Sequence, residues 1–570
     1  MASPVATQPA YGSDVIADML RGLGVEYLAI NPGASFRGLH DSIVNRLGNH
    51  DPKLVLTLHE AQAVAMAHGF AKVSGQPMGV VLHANVGLMN AVMAIYDAWV
   101  DRVPMLILGA TGAVDAARRR PWIEWIHTSR DQAAIVRPFV KWDDQPASIE
   151  AAMESLLRAW SMTATAPCAP TYVCLDVDVQ ESALTNIPAL PDPARYAQPA
   201  QPTIAGADLD AAMALIAKAK KPLLLVGRYD RSEAAWAERI ALADALGAAV
   251  LCDQKCGVGF PSSHPGYIAA PAQYPDKRAA RLLDEADLVV SLDWPDLKGL
   301  LSLRADKGAG LPAIVASPDE RLHNGWSLDH FPLPEADLRL PVKAETFTAA
   351  ILPRLAGHAP ASWTIPAAEQ PDVPTSGPVT IPAIAAAFKR VRGDRTVCLT
   401  RLTFGLPDAM VDFTHPLDCI GYDGGGGIGS TPGITVGAGL ALKGSGRLPV
   451  AILGDGDLLM GSQALWTAAA EKIPALFIVN NNCSFYNDVE HQERVAIHRD
   501  RPVENKNIGM AIVDPDVDLA GLARSQGCTA FGPVTSIETL DAVLEEAFQA
   551  AERGATVVVD VRTLPPAKPA

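Results

Sequence analysis

The chain has 570 residues, 49% of them hydrophobic and 19% charged; it is too long for one core, and three or four well-packed globular domains are expected. A formal net charge of −16 argues against non-specific nucleic-acid binding, and no basic stripe with interleaved aromatics reverses that. No apolar run approaches the roughly 20 residues that span a bilayer, no charged leader precedes an apolar stretch, and the tight pair Cys252 and Cys256 lacks metal-site companions, so a cytoplasmic protein with reduced cysteines and no membrane partner is expected.

The chain alternates strand and helix. GVEYLAINPG reads as a strand running into a glycine turn, and LVLTLHEAQAVAMAHGFAKVSG as a strand feeding a helix. MGVVLHANVG is a strand ending in a glycine loop, and VPMLILGATG and PTYVCLDV are near-continuous apolar runs. Such runs, separated by helices, indicate a parallel sheet covered on both faces. This first unit spans 1–187. A Pro/Ala-rich linker, 188–203, follows. KPLLLVG, AAVLCD, ADLVVSL and LPAIVAS supply the strands of a second unit, 204–356. Beyond a proline-rich stretch, RTVCLT, LDCIGYDG, PVAILGDG, ALFIVNNN and ATVVVDV supply those of a third, 379–565. The expected fold class is α/β, with three doubly wound parallel-sheet domains.

The stretch GDGDLLMGSQALWTAAAEKIPALFIVNNN (454–482) carries the most specific signal. Asp455 stands at the C-terminal end of a buried strand, where open α/β sheets bind ligands, and Gly454 and Gly456 let backbone approach closely. A helix at roughly 461–471 then leads to a strand that ends at Asn482. One carboxylate, one amide oxygen and a backbone carbonyl suit Mg2+, which keeps water and phosphate oxygens as its other ligands. A plain turn capped by asparagines is the alternative for GDG alone. The full order of GDG, helix, strand and NN resembles the signature of thiamin-diphosphate-dependent enzymes. The resemblance implies that Asp455 and Asn482 ligate Mg2+ by side chain and Ser484 by its carbonyl. It places Gly454, Gly456 and Asp457 around the cofactor's diphosphate.

The partner half of the cofactor falls on the first unit. HEAQAVAMAHGFA resembles the superfamily's HE-x-x-A-x-x-x-A-x-G-[YF]-A segment. On the residues alone, Glu60 is an acid at a helix N-terminus, favoured by the dipole. The resemblance makes it the carboxyl that meets N1′ of the aminopyrimidine and favours the imino tautomer, a task suited to an apolar site that raises its pKa. In YDGGGGIGSTPG, Ile428 matches the bulky wedge that bends the cofactor, and Gly426, Gly427 and Gly429 let backbone approach the pyrimidine. Pro32 and Gly33 of NPGAS are assigned to the same pocket. Family members pair the first and third units between subunits, which implies a homodimer at least, usually a tetramer.

Within the superfamily the chain resembles the branch of benzoylformate decarboxylase and acetolactate synthase. VVLHANVGLMNA is similar to the decarboxylase's LHSAAG-x-x-NA, and RPFVKWDDQPAS to its RP-x-VKW-x-x-x-PAS. His83 matches the histidine of that loop, implying proton relay. There are departures. Ala34 fills the column of the family's substrate-binding serine, with Ser35 one place later. The second catalytic histidine, in the middle unit, is absent from VVSLDWPDLKGLLSL, where Trp294 and Asp296 stand. In CSFYNDVEHQERVAIHRDRP, the residues Tyr486, Asn487, Glu490, His491 and Glu493 are candidate substrate contacts, with a solvated amphipathic helix as the equal alternative. His127 lies near the place of an active-site glutamine in acetolactate synthases and is a further candidate contact.

The resemblance implies cleavage or formation of a C–C bond next to a carbonyl, dependent on thiamin diphosphate and Mg2+. A 2-oxo acid decarboxylase with carboligase activity is the leading expectation, acting on a small 2-oxo acid or aldehyde. An acetolactate-synthase-like carboligase is one alternative. FAD is not expected, because LDWPDLKG replaces the RFDDR-type stretch. A 2-hydroxyacyl-CoA lyase is another, disfavoured by the weakly basic tail LPPAKPA. A non-catalytic homologue is disfavoured because Glu60, Asp455 and Asn482 are all present.

Overall fold

Residues 8–270, 277–306, 308–319, 333–365, 371–407, 410–422 and 424–564 are described by a computed structural model, in which the apolar runs pair into three parallel sheets. The N-terminal unit holds β1 (Tyr27–Ile30), β2 (Lys53–Leu56), β3 (Met78–Leu82), β4 (Met105–Thr111), β5 (Trp142–Asp144) and β6 (Pro170–Asp176), in the order β2-β1-β3-β4-β6-β5. β3, β4 and β6 are buried along their whole length. Helices on both faces explain why they read as unbroken apolar runs. The chain steps from β1 out to β2 and returns past β1 to β3. The order therefore reverses between β1 and β3, and the crevice beyond their C-terminal ends is where such sheets take ligands. Ser35 comes just after β1, and His83 directly after β3.

The central unit holds β7 (Pro222–Val226), β8 (Ala249–Asp253), β9 (Tyr267–Ala270), β10 (Leu288–Leu292), β11 (Ala313–Ala316) and β12 (Leu338–Leu340), in the order β12-β11-β10-β7-β8-β9. Its reversal lies between β7 and β10. Ion pairs line that crevice: Arg228 meets Asp319 at 2.5 Å, and Arg102 of the N-terminal unit meets the same carboxylate at 2.6 Å. Asp319 thus ties the first two units together.

The C-terminal unit holds β13 (Val397–Arg401), β14 (Leu448–Gly454), β15 (Ala475–Asn481), β16 (Thr529–Val534) and β17 (Thr556–Arg562), in the order β13-β14-β15-β17-β16. Two expectations are corrected here. Asp423 of LDCIGYDG lies outside the described residues; the segment's other residues, 417–422 and 424, form no strand and meet β13 at one bridge, Leu399 to Cys419. Its backbone turns to the central unit, where Tyr422 N donates to Lys255 O and Cys419 O accepts from Val258 N. The helix expected from about 461 begins earlier, as Asp455–Gly461 followed by Gln463–Ala470.

The N-terminal and C-terminal units are joined by two helices, Glu60–Ser74 and Thr431–Ala441. Their backbones touch at glycines: a Cβ on Gly437 would lie 1.8 Å from Met66 O, and one on Gly69 would lie 1.9 Å from Ile434 O. Gln62 crosses the seam, donating from Nε2 to Gly429 O (2.8 Å) and accepting at Oε1 from Gly433 N (3.0 Å).

Candidate active site

β14 and β15 are neighbours, with Gly454 opposite Asn480. Asp455 and the last asparagines therefore leave the same edge of the sheet. Asp455 is 3% exposed, and its Oδ2 accepts from Ser484 N at 3.1 Å. Burial pushes its carboxyl up to about 6, against the pull of backbone hydrogen bonds from Gly456 and Ser484.

The three asparagines differ. Asn480 donates to Thr403 Oγ1 (3.3 Å) and accepts from Thr563 Oγ1 (2.6 Å). Asn481 donates to Asp560 Oδ1 (2.8 Å) and accepts from Cys483 N (3.2 Å). Asn482 Oδ1 is buried with no hydrogen-bond partner among the described residues, and so is Ser484 Oγ. An unpaired buried oxygen costs ~1–3 kcal/mol. A buried carboxylate beside an orphaned amide oxygen is a donor set that fits a hard divalent cation. Asp455, Asn482 and the Ser484 carbonyl are the groups that would hold it.

Asp457 has a different task. Its carboxylate accepts from Gly429 N (2.7 Å) and from Thr431 Oγ1 (2.6 Å), which pins the glycine loop to the start of the next helix. Gly426 and Gly429 have φ of +72° and +101°, a backbone that side chains resist. A Cβ on Gly427 would strike Met93 at 2.4 Å. Ile428 is half-buried between them. A Cβ on Gly454 would meet nothing within 4 Å, so there is open space beside the backbone that leads into Asp455. A Cβ on Gly456 would meet the Phe485 ring at 2.7 Å.

In the N-terminal unit, Glu60 opens its helix behind His59, whose Nδ1 accepts from Ala61 N. Its carboxylate is nearly buried and accepts from Asn90 Nδ2 at 3.1 Å. A Cβ on Gly87 would come within 3.4 Å of Glu60 Oε1, so the helix Ala84–Val100 passes closely here. His83 precedes that helix. Its Nδ1 lies 2.8 Å from Ser35 Oγ in a hydrogen bond. Pro32 and Ala34 are exposed, but the short turn Ala34–Phe36 carries Ser35 inward. A Cβ on Gly33 would sit 2.0 Å from His83 Cγ, so only glycine lets this loop cross the imidazole. The His127 ring packs edge to face on His83 with centroids 4.8 Å apart. Burial holds the His83 pKa below its ordinary value; His127 and Arg120 push the same way, while Glu60 opposes.

The remaining candidates are more scattered. The helix Tyr486–His498 buries Val489, Glu493 and Ala496, and exposes Asn487 and His491. Glu493 pairs with Lys506 at 3.1 Å, and Glu490 faces Arg494 at 3.7 Å. Tyr486 and Glu490 are half-buried. In the central unit, Asp296 caps the helix Leu297–Leu301 through Gly299 N (2.9 Å), and Trp294 packs against the core. Sequence reasoning passed over Asn90, Gln62 and Glu124. Asn90 stands in the quoted LMNA run. Glu124 lies in an irregular segment with no local signal.

Residues 11–135 match the thiamine pyrophosphate enzyme N-terminal TPP binding domain, 209–292 the central domain, and 406–561 the C-terminal TPP binding domain. Benzoylformate decarboxylase of Pseudomonas aeruginosa is 26% identical, over 90% of this chain and 93% of that protein. An acetolactate synthase of Bacillus subtilis is 22% identical, over 92% of each. Among solved structures, the fold matches the thiamine diphosphate-dependent 4-hydroxybenzoylformate decarboxylase of Rhodococcus jostii RHA1, with a TM-score of 0.77 at 22% identity, covering 98% of this chain and 100% of that one. It also matches benzoylformate decarboxylase from Polynucleobacter necessarius, with a TM-score of 0.79 at 20% identity and the same coverage. The chain belongs to the thiamin-diphosphate-dependent enzymes, in the branch of the benzoylformate decarboxylases and acetolactate synthases.

Proposed function

We propose that the chain is a thiamin-diphosphate- and Mg2+-dependent 2-oxo acid decarboxylase that works in the cytoplasm as a homo-oligomer of at least two copies. Thiamin diphosphate, when bound, supplies a nucleophilic thiazolium carbon and the electron sink that lets carbon dioxide leave. Asp455, Asn482 and the Ser484 carbonyl hold the metal that anchors the diphosphate. Gly454 leaves room for that group, and Asp457 keeps the glycine loop in place for Ile428 to support the cofactor. Glu60, buried and steadied by Asn90, holds the proton that the aminopyrimidine exchanges. Ser35 and His83 receive the substrate carboxylate and carry protons at the reacting carbon.

The observation that carries this reading is the Ser35–His83 hydrogen bond at the reversal point of the N-terminal sheet. It restores a hydroxyl beside the imidazole although the serine stands one place late. Exposed apolar side chains near these groups, Leu58, Met89, Met460, Trp122 and Trp125, are the kind of surface a second copy buries. The test is incubation of the loaded enzyme with a panel of 2-oxo acids, with and without acceptor aldehydes, read by mass. Carbon dioxide and free aldehyde support the decarboxylase. A ligated product as the sole outcome points to a carboligase. Turnover of acyl-CoA thioesters alone overturns the reading.

A further inference from the structure

We propose that His127 is the second proton-handling imidazole of this site, its ring set edge to face against that of His83. This inference rests on the decarboxylase reading. The stretch VVSLDWPDLKGLLSL holds no histidine, and its Asp296 and Trp294 are spent on a helix cap and on core packing. The N-terminal unit holds two imidazoles in ring contact instead.

That contact is built rather than incidental. Glu124, 2% exposed, accepts from Ala113 N at 3.0 Å and so is anchored just beyond the C-terminal end of β4. A Cβ on Gly112 would lie 2.7 Å from its Oε2, so the carboxylate presses on backbone. Glu124 Oε1 accepts from Arg120 Nε at 2.7 Å. Its carbonyl accepts from His127 N (3.1 Å) and from Thr128 Oγ1 (2.9 Å). Asn85, in the first turn of the helix that follows His83, donates to Ile126 O at 3.3 Å. The turn bearing His127 is therefore stapled to β4 on one side and to the His83 helix on the other. Glu124 is its positioning residue.

Two imidazolium charges at ring contact repel, so such a pair binds its second proton at a lower pH than its first. Arg120 adds positive charge and opposes the second proton; Glu60 favours the first. Ser35 Oγ fixes His83 Nδ1. A pair holding one proton is a donor and an acceptor at once. The proton needed at the reacting carbon once carbon dioxide has left would come from His83, whose Nδ1 is held by Ser35 Oγ. The half-exposed His127 stands between His83 and water and would return a proton to the site.

The test is a pH titration of the histidine rings by NMR, in protein loaded with thiamin diphosphate and Mg2+ and carrying 13C at histidine Cε1. His83 is assigned by loss of its signal in His83→Asn. In His127→Asn and in His127→Gln, the His83 midpoint rises by at least about half a pH unit, the water-like limit for charges about 5 Å apart. With benzoylformate as probe, the acid limb of kcat/KM moves up with it. An unchanged His83 midpoint in both variants, or independent single-step titration of both rings in the wild type, overturns the pairing. If benzoylformate and every other 2-oxo acid of the panel are inert while the midpoint still moves, the decarboxylase reading falls and the pairing stands.

Discussion

Replacing two of the three consecutive asparagines, Asn481 and Asn482, one at a time gives different stability changes. Asn482 Oδ1 is buried and has no hydrogen-bond partner among the described residues. Its removal in Asn482→Ala relieves ~1–3 kcal/mol of desolvation and forfeits some packing, so the cofactor-free protein is unchanged or slightly more stable. Asn481→Ala loses the donor to Asp560 Oδ1 and the acceptor for Cys483 N. Asp560 is 2% exposed, and burial already holds its carboxyl above its ordinary value. Leaving it unpaired costs ~2–3 kcal/mol, which lowers the Tm of a unit this size by roughly 4–10 °C. Adding the ligands closes the gap between the two variants and lifts the wild type above both. A ligand at a hundred times its Kd stabilises by ~2.7 kcal/mol. The wild type and Asn481→Ala gain that increment from Mg2+ with thiamin diphosphate, and Asn482→Ala does not. Differential scanning fluorimetry of each variant, stripped and then loaded, reads both effects. If Asn482→Ala destabilises the stripped protein as much as Asn481→Ala and still gains the full ligand shift, the assignment of the metal ligands is wrong.

Glu60→Gln keeps an acceptor for Asn90 and therefore keeps the fold, but it loses the proton. Deuterium exchange at the cofactor's C2 position and kcat should both fall by about 10²–10⁴, and unchanged exchange would refute the role. Lys72→Met breaks a buried ion pair to Asp101 of 2.7 Å and should cost ~3–5 kcal/mol in a denaturant titration; no change in the midpoint would refute it. The same pair fixes a pH dependence. Burial alone would raise the Asp101 pKa, but Lys72 and His68 hold it at about 2, below its ordinary 3.8. Since the folded value is the lower one, the stabilisation is complete above about pH 4 and is lost as pH falls towards 2. That acid loss should shrink in Lys72→Met, where only His68 still lowers the Asp101 pKa.

The interior strands were legible because burial on both faces leaves a plain apolar run, as in β3, β4 and β15. β5, β9, β12 and β16 went unread. They lie at or near the sheet edges, and β5 and β12 have only three residues each, too few for a pattern. The apolar composition of LDCIGYDG suits a strand, but its backbone hydrogen bonds are divided between Leu399 of β13 and the central unit. The glycines of GDG suggest a turn, yet Asp455 starts a helix at once. At the site, Glu60, His83, Asp455 and Asn482 stand in local patterns, which makes them legible as candidates. The Ser35–His83 bond joins residues that follow strands adjacent in space but not in sequence. The distinction among the three asparagines depends on Thr403, Thr563 and Asp560, far along the chain. Glu124 acts through backbone groups, which no side-chain pattern reports.

Calorimetric titration of thiamin diphosphate into the stripped protein, with and without Mg2+, tests the central claim most directly. The account predicts one cofactor per chain with Mg2+, and loss of binding without the metal or in a folded Asp455→Ala variant. Equal affinity with and without Mg2+, or undiminished binding by Asp455→Ala, would contradict it.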